Sequence, residues 1–174
     1  YTKGSIMLTH LRYIMGEKLF WKGMQQYYNT WKFKHPEPND FIRTMEKVSG
    51  MQLKWHLNYL IGSVKHVDYA IKSVNPENGF EIILERKGEF PMPVEITITY
   101  ADGSSDLVYI PTNETLADKN FEGSVTKLAP WYWVAKEYAF KWSKNTLKII
   151  SIEIDSKHET AEVERSNNKW SVED

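Results

Sequence analysis

The sequence contains no cysteine. Disulfide staples and thiolate metal sites are therefore excluded, and the compartment stays open on this count. No apolar run approaches the ~18 residues of a membrane-spanning helix, and no secretory leader is visible. Neither sign of charge is in excess: 22 Lys+Arg face 23 Asp+Glu, a net charge of −1. That balance argues against a nucleic-acid binder driven by phosphate neutralisation. There is no glycine-rich phosphate loop and no Gly-x-Ser-x-Gly elbow. There is also no His-Glu-x-x-His helix, the spacing that turns two imidazoles toward one zinc ion. His158-Glu159-Thr160-Ala161-Glu162 lacks the second histidine and follows a strand-like run, so it reads as a turn. No Asp/Glu pair is set out for acid/base work.

Apolar and aromatic residues are plentiful. They make up 41% and 14% of the 174 residues, which is enough for a packed core and argues against disorder. Charge is unevenly spread. Residues 1–65 hold ten Lys+Arg against four Asp+Glu, and the rest hold twelve against nineteen. The plain reading is two parts with different surfaces; attraction between docked domains is the other.

The period of the apolar residues changes along the chain. Met7, Leu8, Leu11, Ile14 and Met15 share a helical face that ends at Gly16. Leu19, Phe20, Met24, Tyr27, Tyr28 and Trp31 repeat the pattern until Lys34-His35-Pro36-Glu37-Pro38 breaks it. Asn39 is the expected N-cap of a third helix stopped by Gly50. Leu53, Leu57 and Leu60 mark a short fourth helix, closed by Gly62. After a boundary near Ser63–His66 the period becomes two, first over Val67–Ile71. Phe80–Leu84 and Val94–Tyr100 continue it, and an Asp102-Gly103 hairpin turn leads to Leu107–Ile110. Trp131–Trp142 and Ile149–Ile154 read as further strands, with Ala161–Glu164 as a short edge strand. Residues 111–130 read as a long connection. The expected class is α+β: antiparallel helices over 1–65, then an antiparallel immunoglobulin-like β-sandwich over 66–174.

Candidate residues each have a plain alternative. Tyr1 precedes the first helix, in Tyr1-Thr2-Lys3-Gly4. A phenol keeps its proton at neutral pH and can donate to an oxyanion as a tetrahedral intermediate forms; otherwise Tyr1 is an ordinary terminal tyrosine. Lys3 pairs with a carboxylate or is simply solvated. Gly4 allows close packing or merely opens the helix. His10 reads as a core-edge or groove residue, and His35, His56 and His66 as isolated. The aromatic clusters Trp21–Trp31 and Trp131–Trp142 line a ligand groove or, more simply, pack cores. Asn113-Glu114-Thr115 fits a glycosylation acceptor, a short and unspecific pattern.

The order of several motifs resembles aminopeptidase N–like metallopeptidases of the gluzincin type. It runs from Tyr1-Thr2-Lys3-Gly4 through Leu11-Arg12-Tyr13-Ile14-Met15-Gly16-Glu17 and Phe20-Trp21-Lys22-Gly23. It continues through Pro38-Asn39-Asp40-Phe41, Glu46-Lys47-Val48-Ser49-Gly50 and Leu53-Lys54-Trp55. Val67–Ile71, Phe90–Val94, Ala101-Asp102-Gly103, Ile154-Asp155 and Arg165–Asn168 resemble the following β-domain. His56 departs from the aromatic expected at its place. The resemblance implies that Tyr1 is the oxyanion-donating tyrosine of a zinc aminopeptidase acting on N-terminal peptide bonds. It further implies that zinc ligands and general base precede residue 1, in an upstream catalytic domain that is this chain's partner. The chain would then bind no catalytic zinc alone, reach peptide substrate only through the parent, and favour an exported setting. The missing initiator methionine fits a piece of something larger. The alternatives are a non-catalytic peptide-binding or scaffold module whose parent lost its zinc ligands, or a free-standing structural protein.

Overall fold

The computed structural model describes residues 1–143 and 147–172. The chain divides into two compact units. One holds residues 1–64 together with 114–122; the other holds 65–113 and 123–174, of which 144–146 and 173–174 lie outside the described residues. The class is α+β.

The helical unit contains α1 (Thr2–Met15), α2 (Glu17–Trp31), α3 (Pro38–Ser49) and α4 (Lys54–Gly62). Gly16 separates α1 from α2 at φ 78, a conformation that suits glycine. Gly50 ends α3 in the left-handed region, its N–H donating to the Glu46 carbonyl. The start of α3 differs from expectation. Pro38 has no N–H to leave orphaned, so it takes the first helical position and Glu37, not Asn39, becomes the N-cap. Asp40 accepts the Glu37 N–H at 2.9 Å. Glu46 does the same for α4, accepting the N–H groups of Leu53 and Lys54 at 2.8 and 3.1 Å; a carboxylate there also complements the helix dipole. Leu11, Ile14, Met15, Phe20, Ile42, Met45 and Leu53 are buried. Gly23 has no side chain where Met45 of α3 seats; a Cβ there would lie 2.3 Å from its sulfur.

Residues 114–122 complete this unit. Gln52 N–H donates to the Thr115 carbonyl at 2.9 Å. Lys119 donates to the Tyr13 carbonyl at 2.9 Å, with its ammonium over the Tyr13 and Phe121 rings. The sequence offers no periodicity in this stretch, and its role comes from these non-local contacts.

The second unit carries two sheets. β1 (Tyr69–Asn75), β2 (Glu81–Arg86) and β6 (Glu137–Lys141) form one, in that order. β3 (Val94–Tyr100), β4 (Ser105–Ile110), β5 (Val125–Lys127), β7 (Ile149–Ile154) and β8 (Lys169–Ser171) form the other, in the order β5-β4-β3-β7-β8. All pairings are antiparallel except β4 with β5, which is parallel. The β3–β4 hairpin closes through Gly103 at φ 84, as Asp102-Gly103 suggested. Two strand expectations shift. Only residues 137–141 of the 131–142 stretch are strand, and residues 161–164 contribute one bridge, Glu162 with Val67, while the edge strand is β8. Alternation sends Ile82 and Leu84, Ile96 and Ile98, and Ile152 and Ile154 into the core. Gly88 is enclosed by backbone: a Cβ would meet the His66 carbonyl oxygen at 2.3 Å.

Candidate functional site

Tyr1 is the N-cap of α1 and its side chain is fully exposed. Its carbonyl accepts the Ser5 N–H at 3.0 Å, the first bond of the helix. Two residues on, Lys3 reaches across the unit and donates to the Leu60 carbonyl at 3.1 Å. That oxygen lies in the last turn of α4, where carbonyls lack helical partners and the dipole attracts a cation. Lys3 therefore meets a helix C-terminus and not the carboxylate expected. A Cβ added at Gly4 would meet open space in this chain, so its packing here does not require glycine.

The histidines are placed differently from expectation. His56 is not isolated. Its Nε2 lies 3.0 Å from Nδ1 of His10, joining α4 to α1 in the interior of the helical unit. Both rings are buried and meet edge to face. Burial, then the neighbouring His10, pushes the His56 pKa down to about 3, so its ring is neutral at pH 7. One ring nitrogen donates and the other accepts. No local spacing announces this pair, since 46 residues separate its members. Each, however, sits four residues before a buried apolar residue, Ile14 and Leu60, on the same helical face. His35 and His66 are exposed, and His158 lies in a turn after β7 with φ 56.

The aromatic clusters separate. Trp131 and Trp142 are buried, and Trp131 packs against Tyr69 with ring centres 5.3 Å apart. Arg86, also buried, stacks on Trp133 at 4.3 Å and donates to the Gly88 and Trp133 carbonyls. Trp21 and Tyr28 of α2 are exposed. An open groove of about 590 Å³ lies at the junction of α3 and α4, lined by Glu46, Lys47, Met51, Lys54, Trp55 and Glu114. Asn113 is exposed, whereas Thr115 is buried.

A zinc site does not fit the residues present. Among the described residues no three His, Asp or Glu side chains gather as ligands, and His10 and His56 direct one nitrogen each at the other.

Residues 1–59, from Tyr1 to one turn short of the end of α4, match the Peptidase family M1 domain. That segment is similar to the M1 peptidase domain and covers about a third of the chain. Among solved structures the chain is similar to aminopeptidase A of Legionella pneumophila, crystallised in complex with aspartic acid. The identity is 13% and the TM-score 0.61; the match covers 92% of this chain and 17% of that one. The chain thus spans about a sixth of that aminopeptidase's length, and the likeness is one of fold. No curated protein matches its sequence. Among the described residues no helix is long and apolar enough to cross a membrane.

Proposed function

We propose that the chain is part of a zinc-dependent aminopeptidase that hydrolyses N-terminal peptide bonds, with Tyr1 as its oxyanion donor. The observation that carries this reading is the place of Tyr1. It opens α1 within the segment matching the Peptidase family M1 domain, and its side chain is not packed against the residues of this chain. The phenol O–H would donate to the scissile carbonyl oxygen as that oxygen gains charge, an interaction stronger in the transition state than in the ground state. Zinc, held by residues of the parent outside this chain, supplies the Lewis acid when bound. The upstream catalytic domain and a peptide substrate are the partners this reading requires, and by itself the chain hydrolyses nothing.

The groove beside Trp55 favours a second reading, a peptide-binding or scaffold module without turnover. Tyr1→Phe in the intact parent separates the two. A fall of about 10²–10³ in kcat, with KM little changed, is the expected result. An unchanged kcat, or a parent that binds peptide without cleaving it, would sink the enzyme reading.

A further inference from the structure

We propose that the His10–His56 pair and Lys3 are positioning residues, which together fasten α1 to α4 and thereby fix where Tyr1 stands. The proposal rests on the reading of Tyr1 given above. Polar ties run from α1 to α4 at two levels. The deeper is the 3.0 Å contact between His10 Nδ1 and His56 Nε2, buried in the helical unit. The other is the 3.1 Å bond from the Lys3 ammonium to the Leu60 carbonyl. They lie seven residues apart along α1, a spacing of about 10 Å at 1.5 Å per residue, or two turns.

The geometry explains why both are needed. Apolar contacts hold helices together but tolerate sliding and rotation, because they are not directional. Residues 1–5 are exposed, and Lys3 among them bonds across to α4. A buried hydrogen bond between two rings fixes the rotation of α1 about its axis, since a turned helix would leave polar nitrogens unpaired. Lys3 then fixes the first turn of α1. Tyr1 joins that turn through the bond that its carbonyl accepts from Ser5 N–H. A catalytic donor gains from such fixing, because a displacement near 1 Å can cost about a hundredfold in rate.

The two ties also differ in what replaces them. Glutamine can place an amide nitrogen or oxygen near the Nε2 position of His56; leucine fills space without a polar atom. Arginine can reach the Leu60 carbonyl from position 3; methionine cannot donate.

The test measures amide hydrogen exchange along α1 in the full chain, with α3 as internal reference. His56→Leu should speed exchange of the amides of residues 5–9 by about tenfold, the loss of one buried hydrogen bond, with a smaller change over residues 42–49. His56→Gln should restore most of the protection. Lys3→Met, a surface change that leaves the core intact, should speed the same α1 amides by a few-fold, and Lys3→Arg should not. Equal acceleration in α1 and α3 for His56→Leu, with no effect of Lys3→Met, would overturn the proposal, since the pair would then serve only general stability. In the intact parent, Lys3→Met should lower kcat at constant KM; faster α1 exchange without a change in kcat would overturn the positioning role. If Tyr1→Phe leaves kcat unchanged while the exchange pattern is as expected, the reading of Tyr1 fails and the fastening of α1 stands.

Discussion

The indole N–H of Trp142 donates to the phenolic oxygen of Tyr100 at 2.9 Å, and that phenol in turn donates to Asp106 at 2.7 Å. Tyr100 ends β3 and Trp142 follows β6, so the chain of bonds joins the two sheets of the second unit through a buried aromatic pair. Tyr100→Phe keeps the ring and removes the relay. The buried indole donor then loses its acceptor, and about 1–3 kcal/mol of stability should go with it. Urea unfolding followed by tryptophan fluorescence measures the loss; a midpoint equal to wild type would show that the relay contributes nothing net.

His56 makes the helical unit acid-sensitive. Its folded pKa of about 3 lies below the ordinary value of 6.5, through burial first and His10 second. A lowered histidine contributes stability that is complete above pH 6.5 and drains away as pH falls from there toward 3. The limiting slope for one such group is about 1.4 kcal/mol per pH unit. His56→Leu should flatten stability against pH over that window. An undiminished acid slope in the variant would assign the effect to other groups.

Glu162 acts in the opposite sense within the second unit. Burial raises its pKa from 4.5 to about 7; the Tyr69 N–H it accepts works against that rise, and Asp68 adds to it. Because the folded value is raised, its contribution is whole below pH 4.5 and is lost as pH climbs through 7. Glu162→Gln keeps an acceptor for the Tyr69 N–H and cannot ionise. Thermal unfolding of this variant should show a shallower decline between pH 4.5 and 7. A decline as steep as wild type would exclude Glu162 as its source.

Helix ends and the tight hairpin were legible because single residues dictate them. Gly16, Gly50 and Gly103 all adopt positive φ, where glycine is the cheapest choice, and each marks a boundary that local pattern also marks. Where two local signals competed, the stronger prevailed: Pro38 at the first helical position displaced the Asn39 cap. Residues 111–130 were opaque because their order comes from partners far along the chain, Tyr13 for Lys119 and Gln52 for Thr115. The candidate site divides in the same way. That a helix follows Tyr1 could be seen from the pattern, since a helix start is local. The ties of Lys3 to Leu60 and His10 to His56 could not, since they depend on how α1 packs on α4.

The path of the backbone bears on any attempt to divide this molecule. It leaves the helical unit after residue 64, returns to it for residues 114–122, and departs again. The two units are thus interleaved along the chain and not strung end to end. A scissile site at residue 65 yields no self-sufficient halves. The first product forfeits the stretch that covers Tyr13 and satisfies Gln52, and the second is left carrying that stretch with nothing to lay it on. Exchange of either unit between relatives by recombination therefore requires three junctions, at 64/65, 113/114 and 122/123, to be respected together.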